Sequence, residues 1–175
     1  MAKRKEILIS GFGGQGVVRI GQILSLASVY QGAYTTMLIS HGTETRGGYV
    51  RSQVVISDAP VDSPIVENPD YFCALSKAAY NKFISLVKNG TIIYDPGYVE
   101  LNNESTVNHL SINARELATY ELGKELFANV IVLGVLSKLM SDILDKENVL
   151  KAMLERIIRF QEENKKAFEM GYNLI

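Results

Sequence analysis

The sequence predicts an α/β fold: a single three-layer domain on a mostly parallel sheet, with a helical last third. Three observations predict it. The apolar run "EILIS" at 6–10 leads into the glycine-rich "GFGGQG" and then into a stripe of helical spacing. Strand-length apolar runs then alternate with helical patterns, as right-handed β-α-β crossovers require. From residue 127 onward the pattern is helical. The 175 residues suit one domain spanning 1–175, with length enough for a core, and no repeat or linker composition divides them.

The elements follow in order. After the first strand, Val17, Ile20, Ile23, Leu24, Ala27 and Tyr30 give a helix over 17–30 a buried stripe, and Gly32 is placed to end it in a left-handed turn. "AYTTMLIS" and "YVRSQVVIS" read as strands on either side of a polar loop. "DAPVDSPIVENPD" carries three prolines and several acids, so it reads as turn and edge material, with Asp58, Asp62 and Glu67 on the surface. "YFCALS" is a strand, and Ser76 caps a helix running to about Val87, stopped by Asn89 and Gly90. "TIIYD" and "VNHLSI" are strands, and "ARELATYELG" is a short helix ending at Gly123. "FANVIVLGVLSKLM" is apolar nearly all round and predicts a buried helix. Asp145 caps a final helix whose inner face is Val149, Leu150, Met153, Leu154, Ile157, Ile158 and Phe160, and "QEENKK" beyond it reads as solvated.

Composition excludes several classes of function. A net charge of −1 gives no general attraction to nucleic acid, and the basic "KRK" at 3–5 reads as a solvated terminus. No apolar run reaches the roughly 18 residues of a membrane span. The "ILI" behind the basic start is too short for a signal-peptide core, so a cytoplasmic protein is expected. The single cysteine, Cys73, permits no internal disulfide and no multi-thiolate metal or iron–sulfur site, and its apolar surroundings predict a buried, inert thiol. With only His41 and His109 beside it, no metal site is expected.

Gly11, Gly13 and Gly16 spell G-x-G-x-x-G between a strand and a helix, a Rossmann-like start. Glycine allows positive φ and close approach of the backbone to a ligand, and a helix's first turn offers unpaired N–H groups and partial positive charge. Gly14 adds a further bare amide, Gln15 an amide side chain, and Arg19 a cation where the helix dipole disfavours one. Two readings stand: the loop holds a phosphate or carboxylate, or its glycines only permit a tight turn and close helix–sheet packing. An NAD site requires an acid at the end of the second strand. That strand ends in Leu38, Ile39, Ser40 and His41, which argues against NAD.

"HGTETRGG" at 41–48 follows the second strand and should share a sheet edge with the glycine loop. Arg46 offers a planar fork for phosphate or carboxylate, Gly47 and Gly48 allow a sharp turn or close approach, and Thr43, Glu44 and Thr45 add polar contacts. The loop reads as ligand site, as docking surface, or as both. His41 has no evident nucleophile or metal beside it and reads as a hydrogen-bonded structural histidine. The chain has no G-x-S-x-G elbow, no G-x-x-x-x-G-K-[ST] loop and no H-E-x-x-H. An anion-type loop without reactive groups points to a binding partner inside a larger enzyme.

"GFGGQG" at 11–16, "TRGGYVRSQVVIS" at 45–57 and "NPDYFCALSKAAYNKF" at 68–83, with the closing "NKKAFEMGY", resemble the gamma subunit of 2-oxoacid:ferredoxin oxidoreductases over about residues 5–172. The first two motifs are most similar to the 2-oxoglutarate type; the pyruvate, branched-chain and indolepyruvate enzymes are related. In "HGTETRGG" the chain departs from relatives that carry a tyrosine and a proline before the arginine. The resemblance implies an enzyme that decarboxylates a 2-oxoacid on thiamine diphosphate, passes electrons through iron–sulfur clusters to ferredoxin and transfers the acyl group to coenzyme A. It implies that alpha, beta and ferredoxin-like delta subunits carry those groups and that this chain carries none alone. Gly11, Gly13, Gly14, Gln15, Gly16, Arg46, Gly47 and Gly48 are then expected to face the shared crevice, near the coenzyme A phosphates. The other reading is a free-standing nucleotide-binding or regulatory module.

Overall fold

The computed structural model describes residues 3–42, 48–101 and 106–175. The elements are β1 (Arg4–Phe12), α1 (Val17–Tyr30), β2 (Tyr34–His41), β3 (Tyr49–Ser57), β4 (Tyr71–Ala74), α2 (Lys77–Phe83), β5 (Thr91–Tyr94), β6 (Asn108–Ser111), α3 (Ala114–Leu122), α4 (Ala128–Leu139), α5 (Lys146–Arg156) and α6 (Gln161–Tyr172). Short 3-10 turns at Ile84–Leu86 and Glu125–Phe127 follow α2 and precede α4.

Among the described residues the sheet has six strands in the order β2-β3-β1-β4-β5-β6. β1, β4, β5 and β6 pair in parallel. β3 is antiparallel to both β1 and β2 and separates them. The β1-α1-β2 crossover is present, yet it does not make its two strands neighbours. Residues 42–48 are too few for a second crossover, which takes a dozen or more, so the chain must return antiparallel. The nine-residue ladder of β3 with β1 then fills the centre of the sheet.

Period-two alternation sends each strand's side chains to two cores. Ile7, Ile9, Val54 and Ile56 meet Ile20, Ile23 and Leu24 of α1 and the helices of the last third. Leu8, Val55 and Phe72 meet Tyr80 and Phe83 of α2 on the opposite face. A β carbon at Gly21 would lie 2.1 Å from Ser52 Oγ, so that glycine sets how closely α1 approaches the sheet. α1 ends as its sequence predicts: Gly32, at φ +76°, donates to Val29 O, and Ala33 N donates to Ser28 O.

The last third departs from expectation in three ways. The helix capped by Asp145 stops at Arg156, where Ile157 turns extended, so Ile158 is 79% exposed and Phe160 is 43% exposed instead of facing inward. Asp145 stands at the N-cap, but the backbone N–H groups of Asn148 and Val149 donate to its backbone oxygen, and its carboxylate accepts only from the Asn148 side chain. "QEENKK" is solvated as expected, apart from buried Asn164 and half-buried Lys165, but it is helical: it opens α6, which buries Asn164, Ala167, Phe168 and Gly171. α6 packs on α4 where two glycines meet. A β carbon at Gly134 would stand 2.2 Å from Phe168 O, and one at Gly171 would stand 1.9 Å from Ile131 O. α2 also ends early, at Phe83, though Ser76 Oγ caps it through Ala79 N as predicted.

Candidate functional site

The glycine loop leaves the carboxyl end of β1 as a closed turn. Gln15 N donates to Phe12 O at 3.3 Å, and Gly14 takes φ +89°, as the third residue of a type II turn must. Gly16 takes φ +82° at the N-cap of α1 and offers no side chain there. The first-turn amides of Val17, Val18 and Arg19 therefore have no cap of their own.

The loop's residues divide the work. A β carbon at Gly11 would lie 2.4 Å from Gln15 Oε1 and 2.8 Å from Leu75 Cβ, so this buried glycine serves packing. Gln15 is a brace: its Oε1 accepts from Phe12 N at 2.6 Å and its Nε2 donates to Leu75 O at 2.8 Å, tying the loop to the end of β4. A β carbon at Gly16 would meet Asn129 Nδ2 at 2.1 Å. Gly13 and Gly14 have open space where a β carbon would stand, and both are exposed. They present bare backbone outward.

That backbone lines a cleft of about 870 Å³. Its near side is the loop with Val17, Val18, Arg19 and Gln22 of α1. Its far side is the connector between α5 and α6, from Arg156 to Phe160, with Asn164. Asn129 and Val130 of the first turn of α4 close one end, and His41 and Val50 stand at another. Two helix N-termini thus converge on the cleft, and Arg19, Arg156, Arg159 and His41 border it, with no carboxylate among its described lining residues. Its electrostatics suit an anion.

The far wall is rigidly held. Phe160 adopts left-handed backbone, φ +54°, which costs a side-chain-bearing residue about 1–2 kcal/mol. Asn164 Nδ2 donates to Arg159 O and Phe160 O, both at 2.9 Å, and the Phe127 ring meets Phe160 edge-on. Such strain persists where its surroundings fix it, and it gathers at functional walls. Arg19 donates to Arg156 O, so a carbonyl at the end of α5 offsets the penalty that its place in α1 carries.

Register tests the two-loop expectation. Phe12 pairs with Tyr49 and His41 with Val50, so the chain leaves β2 and enters β3 on the same sheet edge as the glycine loop. Gly48 lies there, half-buried. Arg46 and Gly47, with Thr43, Glu44 and Thr45, lie outside the described residues. His41 is exposed at the end of β2, and its ring makes no hydrogen bond among the described residues, so the hydrogen-bonded role expected of it is not seen there. His109 is the bonded histidine: Nε2 lies 2.9 Å from Tyr80 Oη and Nδ1 lies 2.7 Å from Val107 O. Cys73 is fully buried on β4, and burial pushes its thiol above its ordinary value, which suits an inert role. Among the described residues no cluster of three or more His, Cys, Asp or Glu could hold a metal ion, and no helix is long and apolar enough to cross a membrane.

The cleft residues that sequence reasoning missed are Asn129, Arg156, Arg159, Phe160 and Asn164. The one local signal was "RIIRF" itself, where two arginines flank adjacent isoleucines that a continuing helix could not both bury.

Fold and site define a class: an open α/β domain with a cationic, glycine-floored cleft and no nucleophile, metal cluster or acid–base pair described within it. The chain belongs to the pyruvate ferredoxin/flavodoxin oxidoreductase family, whose model matches residues 6–174, and it is a subunit of the gamma type. It is 38% identical to the 2-oxoglutarate synthase subunit KorC of Methanocaldococcus jannaschii, over 98% of this chain and 94% of that one. The gamma subunit of a keto/oxoacid ferredoxin oxidoreductase from Geobacter sulfurreducens superposes with a TM-score of 0.84 at 33% identity, covering 96% of both chains. The 2-oxoglutarate:ferredoxin oxidoreductase of Magnetococcus marinus shares the fold, with a TM-score of 0.88 at 24% identity over 98% of this chain and 31% of that longer one. Similarity to such subunits over nearly the whole chain sets aside the reading as a free-standing nucleotide-binding module.

Proposed function

We propose that this chain serves a coenzyme A-acylating 2-oxoglutarate:ferredoxin oxidoreductase by receiving the coenzyme A phosphates in the glycine-floored cleft. The observation that carries the reading is the cleft's charge: bare amides at Gly13 and Gly14 and the first turn of α1 face Arg156 and Arg159, with no described carboxylate between them. Phosphate fits such donors, since helix N-termini and guanidinium forks bind it by charge-assisted hydrogen bonds. In this reading Gly13 and Gly14 admit the ligand, and Gly11, Gln15 and Gly16 shape the loop. Gly48 shares the sheet edge that holds the cleft, and Arg46 and Gly47, next to it in sequence, are taken as phosphate contacts in this reading. The choice of 2-oxoglutarate rests on the similarity to the KorC subunit.

Alpha, beta and ferredoxin-like delta companions carry the thiamine diphosphate and iron–sulfur clusters in this reading, and the complex works in the cytoplasm. Those groups supply decarboxylation and electron transfer. The work of this chain is to hold and orient the thiol-bearing acceptor. Exposed Ile158 and Phe160 would shield the pantetheine arm from water, while the arginines hold its far end.

The test is steady-state reduction of ferredoxin by the assembled complex with 2-oxoglutarate and coenzyme A. Arg159→Gln, alone and with Arg156→Gln, is expected to raise the KM for coenzyme A by about tenfold or more while kcat changes little, because a lost phosphate contact weakens ground state and transition state alike. An unchanged KM in the double variant would refute phosphate binding here. Full activity of companions lacking this chain would refute its role in the site.

A further inference from the structure

Arg51 is a half-buried cation with no anion paired to it among the described residues. It lies on β3 opposite Ser10 of β1, and its Nε is buried with no hydrogen-bond partner. Its guanidinium sits 5.3 Å from the centre of the Phe83 ring. Beside it Lys82 Nζ stands 5.8 Å over the Tyr49 ring, and Tyr49 meets Phe83 edge-on at 5.0 Å. Among the described residues no carboxylate pairs with Arg51 or Lys82. Phe12, paired with Tyr49 in the ladder, adds a 40% exposed ring at the rim that this patch shares with the cleft.

Arg51, Lys82, Tyr49 and Phe83 do not line the cleft, and Phe12 is the one residue the two share. Val50 lines the cleft, and alternation along β3 turns Tyr49 and Arg51 to the opposite side of the sheet. A desolvated guanidinium is costly unless an anion joins it, and a face-on ring recovers only part of that cost. Arginine and tyrosine at the centre of a patch, with a lysine at its rim, make the composition of an energetically dominant docking spot. The patch lies at the sheet edge that also holds the cleft, so one body covering that edge reaches both.

We propose that Arg51 and Lys82 receive a carboxylate side chain of a companion subunit, with Phe12 and Tyr49 packing around it. The inference rests on the chain's place in a multi-subunit oxidoreductase. It adds an anchor on the face of the sheet away from the cleft. A protein carboxylate is favoured over a small anion because rings and cations here form a shelf, whereas small ligands bind in concave pockets that bury most of their surface.

The test co-expresses the chain with its companion subunits and measures its retention in the complex, by native mass spectrometry on dilution, at low and high salt. Arg51→Glu is expected to weaken retention by about thirtyfold or more, and Arg51→Gln by less, with a shallower dependence on salt. Lys82→Glu, at the exposed rim, should act mainly at low salt, and Arg51→Lys should restore part of the loss. A companion Asp or Glu changed to Lys should rescue Arg51→Glu and not Lys82→Ala. Equal retention of wild type and Arg51→Glu at both salt concentrations would overturn the proposal. So would normal retention with a raised KM for coenzyme A, which would mark a small-anion site. A wild-type chain that never enters a complex would refute the subunit reading and this proposal with it. Normal assembly of wild type and Arg51→Glu alike would refute this proposal only.

Discussion

Gly171→Ala decides between two opposed effects on α6. In an exposed helix the change would stabilise the protein by about 1 kcal/mol, the intrinsic helix preference of alanine over glycine. Here the new β carbon would stand 1.9 Å from Ile131 O and 2.8 Å from Ile131 C, both backbone atoms that no rotamer change can move. Ordinary contact begins near 3.4 Å, so α4 and α6 would have to part by about 1.5 Å along their seam. Overpacking of that kind costs about 1–3 kcal/mol, and the absence of any yielding side chain puts this case at or beyond the upper end. The net expectation is a loss of about 2 kcal/mol, or about 4–8 °C in Tm for a chain of this length. Gly134→Ala meets Phe168 O at 2.2 Å and should behave alike. The double variant should cost less than the sum, because one separation relieves both clashes. Thermal and urea unfolding of the four proteins gives the answer. A Gly171→Ala variant as stable as wild type, or more so, would refute the close backbone contact on which the far wall of the cleft depends.

Two further outcomes follow from the loop and the core. Gly16→Ala forces a side chain into φ +82° and displaces Asn129, so it should lose about 1–2 kcal/mol, whereas Gly13→Ala has open space and should stay within about 0.5 kcal/mol of wild type in the same unfolding experiments. Cys73 and Tyr71 both favour their protonated forms when folded, Cys73 through burial and Tyr71 through burial and then the charges of Asp142 and Asp70. Each raised value contributes stability that is whole below the unfolded pKa and is lost as pH climbs toward the folded one. The urea midpoint should therefore decline above about pH 9, where an unfolded thiol ionises, and Cys73→Ala should flatten that decline. Alkylation of Cys73 in the native protein should be no faster than unfolding.

The glycine loop and its flanking elements were legible because several local signals agree there. An apolar strand, a glycine run, a helical stripe and a left-handed end at Gly32 fix α1 at Val17–Tyr30 without tertiary help. The place of β3 was not legible in that way, because hydrophobic pattern tells a strand from a helix but not its neighbours. The shortness of 42–48 was the usable clue, since it forbids a parallel return. α6 was hidden because its buried face is made of Asn164, Ala167 and Gly171 as well as Phe168. Small and polar residues let two backbones touch, and a search for large apolar side chains passes over them. The same break exposed Ile158 and moved Arg156 and Arg159 to the cleft, so the cationic wall of the site depended on a helix end that propensity does not mark.

The central claim is that bare backbone at the carboxyl end of β1 does its work only in the assembled enzyme. Gly13→Val tests it most directly, because the free chain leaves that position open and its φ is one that L side chains adopt. The measurement is the rate of 2-oxoglutarate- and coenzyme A-dependent ferredoxin reduction by purified complex containing the variant, beside the melting temperature of the variant chain. A rate reduced by about tenfold or more, with Tm unchanged, is the predicted result. A fully active complex carrying valine at position 13 would contradict the claim.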